Sequence, residues 1–153
     1  MSETGMSNND TPGYRGDLLP REAWTMLEEE ERAVLVDVRT DAEWQFVGQA
    51  DLSSLGRPHI GLSWQRWPEM KLNASFVDDL SALLQRNDYG PDTPLLFLCR
   101  SGGRSAAAAE AMTRAGYTRC YNIAEGFEGP LDSHRHRGTS GGWKAAGLPW
   151  VQS

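Results

Sequence analysis

The sequence predicts an α/β domain with a roughly five-stranded, mostly parallel sheet and helices on both faces. Two kinds of segment alternate along the chain. Continuous apolar runs, such as AVLVDV at 33–38 and LLFLC at 95–99, are typical of strands buried on both faces of a sheet. Segments whose apolar residues recur three or four positions apart, such as 73–87, are typical of amphipathic helices. This alternation favours parallel strands that are joined by helices.

The first third of the chain is predicted to hold two strands and two helices. After a short strand or turn at GDLL (16–19), a helix begins near Pro20, because proline is well tolerated in a first helical turn. The strand AVLVDV follows. Thr40 or Asp41 then caps a short helix, since both side chains accept hydrogen bonds from backbone N–H groups. The turn-rich stretch 48–58 is predicted to be a long surface loop.

The rest of the chain continues the alternation. The expected elements are, in order, a strand at 59–64, a helix at 73–87, a strand at 95–99, a helix at 105–115 and a strand at 119–123. Asn73 is the candidate cap of the first of these helices. Gly116 lies where a C-terminal cap of the second belongs, because glycine readily adopts the left-handed conformation that ends many helices.

Length and composition bound the domain organisation and the partners. The 153 residues predict one domain at 15–153, preceded by a disordered tail at 1–14. A net charge of −6 argues against nucleic acid or an anionic membrane surface as the main partner. The start MSETGMSNND has neither the basic nor the apolar region of a secretory signal, and no stretch is apolar enough to span a membrane. Two cysteines do not suggest a disulfide framework, so a reducing, cytoplasmic location is expected.

The segment CRSGGRS at 99–105 contains the candidate catalytic residue, Cys99, and groups that favour its ionisation. Gly102 and Gly103 permit backbone conformations in which several N–H groups point inward and bind an anion. The start of the following helix adds unsatisfied N–H groups and partial positive charge. Arg100 and Arg104 add two full positive charges. All of these groups favour a thiolate at Cys99 over a thiol.

The same groups can hold an oxyanion beside the sulfur. The segment therefore predicts attack by Cys99 on an electrophilic atom of an anionic substrate, with a covalent intermediate. A preformed thiolate needs no general base, which fits the lack of a histidine nearby in the sequence. The structural alternative is a buried cysteine followed by a loop that only caps a helix. Two arginines and several side-chain donors exceed what such a turn needs.

Three segments resemble the rhodanese-like sulfurtransferase family. VDVRTDAEW (36–44) resembles the family's strand-and-turn signature, and CRSGGRS (99–105) resembles its active-site loop, which opens on the catalytic cysteine. YNIAEGFEG (121–129) resembles its final strand and glycine-containing turn. Together they fall in the right order within residues 17–130.

The resemblance implies a rhodanese-like fold and a single-domain sulfurtransferase in which Cys99 carries a persulfide. A small anionic donor, often thiosulfate in this family, transfers its outer sulfur to Cys99. A thiophilic acceptor then removes it; the candidates are cyanide, a thiol such as glutathione, or a dithiol protein. No cofactor or metal is implied. The substrate-binding residues implied by the loop are Arg100, Ser101, Gly102, Gly103, Arg104 and Ser105.

Two alternative functions remain open. Cysteine-based phosphatases and some arsenate reductases also use an anion-binding loop, but their arginine stands six positions after the cysteine. Here Arg104 stands five positions after Cys99, and a smaller ring of N–H groups suits a persulfide better than a phosphoryl group. The other alternative is a non-catalytic interaction or regulatory module, against which the intact anion loop argues.

One stretch departs from the family pattern. After Trp44 the family has Gly-His-Ile-x-Gly-Ala, whereas this chain reads GQADLSSLG. Residues 50–70, which include Trp64 and Trp67, are therefore expected to shape a different substrate entrance.

The remaining candidate residues have structural interpretations. Asp37 is expected to order the neighbouring backbone, and Arg39 to pair with Glu43, rather than to act as acid and base. Cys120 lies in a predicted strand and is expected to be a buried small hydrophobe, with a disulfide to Cys99 under oxidation as the alternative.

A late loop contains two histidines and two arginines. His134 and His136 are two positions apart with no cysteine nearby, so they make a weak metal-ligand set and a solvated basic loop is expected. The order of the motifs suggests that Arg135 and Arg137 lie near the active-site rim and attract an anionic donor.

Overall fold

A five-stranded parallel sheet forms the centre of the computed structural model, which describes residues 13–152. Its strands are β1 (Gly16–Leu18), β2 (Val34–Asp37), β4 (His59–Gly61), β7 (Leu95–Leu98) and β8 (Cys120–Ile123). They lie in the order β1-β8-β7-β2-β4, and every neighbouring pair is parallel. Every residue of β2, β7 and β8 is buried, which explains their continuous apolar sequences. The predicted fold class is confirmed.

Helices cover both faces of the sheet. They are α1 (Pro20–Glu29), α2 (Asp41–Phe46), α3 (Phe76–Arg86), α4 (Gly103–Arg114) and α5 (Gly142–Ala145). The buried side chains of α3 and α4 belong to one core cluster, with Phe76, Leu80 and Met112 among its members. The second cluster contains Leu27 of α1 and Trp143 of α5. The two clusters lie on opposite faces because successive residues of a strand point to opposite sides.

Four short strands form two further pairs that the sequence pattern did not predict. They are β3 (Gln49–Ala50), β5 (Gln65–Arg66), β6 (Lys71–Leu72) and β9 (Trp150–Val151). β3 pairs with β9 and β5 pairs with β6, both antiparallel. Strands of two residues carry no periodicity from which they could be recognised. The stretch 48–58 is consequently more than a surface loop, since Ala50 and Leu52 within it are buried.

The predicted helix ends are partly confirmed. Thr40 caps α2, because its Oγ1 accepts a hydrogen bond from the Glu43 N–H while the Glu43 carboxylate accepts one from the Thr40 N–H. Gly116 has the expected left-handed conformation, with φ of +108°. Asn73 does not cap α3, which begins only at Phe76; its Oδ1 accepts instead from the N–H of Ser75 in the preceding turn.

The described residues begin near the end of the predicted tail. Residues 1–12 of the predicted tail lie outside the described residues. Tyr14, the last residue of that tail, packs against the core, and its hydroxyl donates to Asp17 at 2.8 Å. Within residues 13–152, no helix is long and apolar enough to cross a membrane.

Candidate active site

Cys99 lies at the carboxyl end of the central strand β7, where a short loop leads into α4. It directly follows the strand, and the helix begins at Gly103, slightly before the predicted start at residue 105. Gly102 precedes the helix with φ of +113°, a conformation that residues with a Cβ rarely adopt. The glycine pair therefore allows the tight turn that brings the helix start to the sulfur.

Two groups of this segment are directed at the sulfur. The Gly102 N–H donates to Cys99 Sγ at 3.1 Å, and Ser105 Oγ lies 3.1 Å from the same sulfur. Cys99 is only 1% exposed, and Ser105 is fully buried. Ser105, which was expected to bind substrate, thus lies behind the sulfur, because the first turn of α4 directs its side chain into the core.

The turn that follows β8 holds the backbone of the Cys99 loop. The Phe127 N–H donates to the carbonyl of Cys99 at 2.8 Å, and the Glu128 N–H donates to the carbonyl of Arg100 at 2.9 Å. The carbonyl groups are therefore satisfied by this turn, while an N–H group faces the sulfur. The glycine-containing turn that the sequence singled out is part of the site architecture.

The two arginines of the loop have different environments. Arg104 donates from Nη1 and Nη2 to the two carboxylate oxygens of Glu43, at 2.8 and 2.9 Å, and both side chains are largely buried. Burial opposes ionisation of Glu43, but the hydrogen bonds and the charge of Arg104 outweigh it and hold the pKa of Glu43 below its ordinary value. Arg100 is exposed. It is thus the more accessible cation of the loop.

The predicted pairing of Arg39 with Glu43 is wrong. Arg39 and Asp37 form a fully buried ion pair at 2.8 Å, and a second hydrogen bond joins Arg39 to the carbonyl of Gly48 at 2.7 Å. The Arg39 guanidinium also lies 4.3 Å from the centre of the Phe127 ring. These contacts support the structural interpretation of both residues. Proximity in sequence was misleading, because Glu43 pairs instead with Arg104, which is distant in the sequence.

Cys99 lies at the base of a cleft of about 820 Å³. The cleft also contains Arg100, Ser101, Gly103 and Arg104 of the Cys99 segment. Its other walls come from α2 and the residues flanking it, the β5–β6 hairpin, the turn after β8 and the late histidine loop. The residues are Thr40, Ala42, Glu43, Phe46, Val47, Gln65, Trp67, Met70, Glu128 and Arg137. Much of this surface is apolar: Phe46 is 72% exposed and Trp67 is 62% exposed.

The hypothesis that residues 50–70 shape the entrance holds for part of that range. Gln65, Trp67 and Met70 line the cleft, but Trp64 packs edge-on against Phe76, with the ring centres 5.1 Å apart. Sequence reasoning missed the wall that α2 provides. The sequence did contain a signal, because the hydrophobic residues Phe46 and Val47 stand at the end of α2, a helix of six residues that buries none of its side chains.

The late histidine loop contributes one residue to the cleft. Arg137 lines it and donates to the carbonyl of Gly129 at 2.7 Å, whereas Arg135 is not among the lining residues. His134 and His136 are exposed. Within residues 13–152, no cluster of three or more His, Cys, Asp or Glu side chains is arranged to hold a metal ion.

Cys120 is a buried core residue, as predicted. It is fully buried on β8 and is a free thiol, as is Cys99. Burial raises the pKa of the Cys120 thiol to about 11, so it is neutral and unreactive near neutral pH.

Comparison with known proteins identifies the family. The sequence profile described as STR4 middle domain matches residues 18–153. The chain belongs to the STR4 middle domain family. The match begins within β1 and includes the Cys99 segment and the turn after β8.

Two similar proteins have no function in their names. The crystal structure of Rv0390 from Mycobacterium tuberculosis is 50% identical, covers 92% of this chain and 99% of its own, and superposes with a TM-score of 0.81. An uncharacterized protein of Rickettsia conorii is 41% identical over 128 residues, which are 84% of this chain and 90% of that protein.

More distant proteins show that the fold is rhodanese-like. A rhodanese-like domain-containing chloroplast protein of Arabidopsis thaliana is 26% identical over 144 residues, or 94% of this chain and 27% of that protein. A homodimeric polysulfide-sulfur transferase of Wolinella succinogenes is 22% identical with a TM-score of 0.55, over 90% of this chain and 78% of its own. The predicted resemblance to rhodanese-like proteins is confirmed at the level of the fold.

Proposed function

We propose that the protein is a sulfurtransferase that carries a sulfane sulfur as a persulfide on Cys99. The observation that carries this proposal is the position of the Cys99 sulfur at the base of a cleft, with the Gly102 N–H directed at it from 3.1 Å. The start of α4 and the exposed side chain of Arg100 add positive charge at this end of the cleft, whereas the charge of Arg104 is paired with that of Glu43. A nucleophilic sulfur beside a receptor for anions is what transfer from an anionic sulfur donor requires.

The proposed reaction has two displacements. The Cys99 thiolate attacks the outer sulfur of a donor such as thiosulfate; the donor's S–S bond breaks, and its electron pair leaves with sulfite. Cys99 then carries a persulfide anion, and the total charge is unchanged. An acceptor thiolate or cyanide next attacks the outer sulfur, and the bond between the two sulfurs of the persulfide breaks. Its electron pair returns to Cys99 as a thiolate.

The ion pair of Arg104 favours this chemistry over phosphoryl transfer. A phosphatase loop needs the guanidinium of its arginine to bind two phosphoryl oxygens. Here both terminal nitrogens of Arg104 already donate to Glu43. The short spacing between Cys99 and Arg104 argues in the same direction.

Intact-mass measurement after incubation with thiosulfate tests the proposal. We expect a gain of one sulfur atom that dithiothreitol removes and that Cys99→Ser abolishes. Cys120→Ser is the matched control, because it removes the other thiol without touching the cleft, and it is expected to load normally. Failure to load from thiosulfate, polysulfide or a low-molecular-weight persulfide would overturn the proposal. Hydrolysis of a phosphate ester that Cys99→Ser abolishes would establish the phosphatase alternative.

A further inference from the structure

A chain of hydrogen bonds runs from the Cys99 sulfur through the core to the surface beside β1. Ser105 Oγ lies 3.1 Å from Cys99 Sγ and 2.5 Å from Asn122 Oδ1. The Asn122 side-chain NH₂ donates to Asp17 Oδ1 at 2.9 Å. β8 brings Asn122 into this position, since it pairs with Asp17 of β1 on one side and with Phe97 of β7 on the other.

The direction of the Ser105 hydroxyl proton follows from its partners. A hydroxyl has one proton, and an amide oxygen only accepts. The Asn122 amide is fixed with its NH₂ toward Asp17, because a carboxylate cannot donate. Its oxygen therefore faces Ser105 at 2.5 Å, and the Ser105 proton must lie between the two oxygens. In this arrangement Ser105 can accept a hydrogen bond from a Cys99 thiol but cannot donate to the sulfur.

Ionisation of Cys99 reverses the preferred direction of the hydrogen bond between Ser105 and the sulfur. Once Cys99 is ionised, its sulfur only accepts, and the Ser105 proton can stabilise it only by leaving Asn122. The Asn122 oxygen would then lack a donor in a nearly closed environment, since Asn122 is 5% exposed and Ser105 is fully buried. The hydrogen bond to Asn122 thus opposes the one that would stabilise the thiolate.

We propose that Asn122 is a positioning residue that controls whether the Ser105 hydroxyl donates to the Cys99 sulfur. This proposal rests on the proposed role of Cys99 as the sulfur carrier. In the loaded state the Cys99 Sγ is bonded to the outer sulfur and carries no proton, and the Ser105 hydroxyl donates to Asn122. When the acceptor removes the outer sulfur, the electron pair returns to Sγ. The Ser105 hydroxyl then rotates and donates its proton in a hydrogen bond to Sγ. Asn122 thus sets the free-energy cost of redirecting the Ser105 proton, and so how readily Cys99 acts as a leaving group.

Other charged or titratable groups lie near the sulfur or its chain of hydrogen bonds. On the side of the cleft they are Arg100, Arg104, Glu43, Glu128 and Arg137, and on the side of the sheet they are Asp37, Asp17 and Tyr14. Replacing Asn122 by a neutral residue leaves all of these side chains in place, although Asp17 loses one hydrogen-bond donor.

The test is the pH dependence of Cys99 alkylation by iodoacetamide, with the adduct located by peptide mass mapping. Asn122→Leu keeps most of the side-chain volume and removes the acceptor. This substitution is introduced both into the wild-type protein and into Ser105→Ala, and each pair of proteins is compared. We compare the shift of the alkylation midpoint that Asn122→Leu causes when Ser105 is present with the shift that it causes in Ser105→Ala. We expect the first shift to lie about half to one pH unit lower than the second. This shift corresponds to about a three- to tenfold larger thiolate fraction below the midpoint.

The double substitution separates positioning from simple burial. An apolar leucine by itself desolvates the thiolate and moves the midpoint upward in both backgrounds, so its effect in Ser105→Ala measures this contribution alone. Equal shifts in both backgrounds, or no shift in either, would overturn the proposal. Asp17→Asn is a second variant on an exposed residue; it releases the orientation of the Asn122 amide and is expected to show the same dependence on Ser105.

Alkylation reports the protonation of Cys99 whether or not sulfur is transferred. A failed thiosulfate-loading experiment would therefore reject the proposed function and leave the role of Asn122 to be decided by the alkylation profiles.

Discussion

Glu43 and Arg104 form a two-pronged ion pair that joins α2 to the first turn of α4 beside Cys99. The two nitrogen–oxygen distances are 2.8 and 2.9 Å, and the side chains are 18% and 16% exposed. Glu43 also completes the cap of α2 with Thr40. One carboxylate therefore holds both α2, which forms a wall of the cleft, and an arginine of the Cys99 loop.

Glu43→Gln is expected to lower the free energy of unfolding at pH 7 by about 1.5–3 kcal/mol, because it removes charge-assisted hydrogen bonds from a largely buried pair. Chemical denaturation of both proteins measures this effect. Glu110→Gln is the matched control: its pair with Arg114 has side chains 42% and 73% exposed, and its loss is expected to cost less than about 0.5 kcal/mol. Equal losses in the two variants would contradict the structural role of Glu43.

The same ion pair predicts a pH dependence of stability. The pKa of Glu43 is lowered in the folded protein, so the unfolded chain binds more protons in the acidic range. The stabilisation is fully present above the ordinary value of 4.5 and is lost as the pH falls below it. Denaturation between pH 7 and pH 3 should therefore show a smaller loss of stability in Glu43→Gln than in the wild type. Parallel profiles would contradict this prediction.

Arg137 and Arg135 are expected to differ in their effect on an anionic sulfur donor. Arg137 lines the cleft and Arg135 does not. Arg137→Gln should raise the KM for thiosulfate about two- to fivefold and weaken its dependence on salt, as expected for the loss of one partly screened charge. Arg135→Gln is the control and should leave both unchanged. Steady-state kinetics with cyanide as acceptor, at several salt concentrations, decides between them.

The two cysteines are expected to differ in reactivity. Cys99 lies at the base of a cleft, whereas Cys120 is fully buried and the pKa of its thiol is raised to about 11. Brief treatment of the native protein with iodoacetamide at pH 8 should modify Cys99 alone, and modification of Cys120 should require denaturant. Peptide mass mapping gives the result. Comparable labelling of both in the native protein would show that β8 opens more readily than its burial indicates.

Gly126 holds the turn after β8 against the Cys99 loop, and Gly126→Ala is expected to displace that loop. A Cβ at this position would lie 2.6 Å from the Arg100 carbonyl carbon and oxygen. Gly56→Ala is the matched control: its φ of +65° is close to the +63° of Gly126, but no atom lies within 4 Å of the added Cβ. Thermal unfolding and thiosulfate loading should be impaired far more by Gly126→Ala. The control should lose only about 1 kcal/mol from backbone strain.

Much of the fold could be predicted because local sequence and final structure agree. The apolar runs of β2, β7 and β8 have the composition of fully buried strands, and α3 and α4 follow from their helical periodicity and alanine content. The short β3–β9 and β5–β6 pairs could not be predicted. Each depends on partners that only the folded chain brings together.

In the candidate site, the groups within the Cys99 loop could be predicted from the sequence. A cysteine after a strand, two glycines and the start of a helix form one continuous segment, so their local interactions follow from their order. The distant groups that complete the site depend on how the whole chain folds. Arg104 pairs with Glu43 across 61 positions, and Ser105 meets Asn122 across 17 positions. The parallel sheet brings together residues far apart in sequence, so no local pattern could have shown that Glu43, rather than a substrate, binds Arg104.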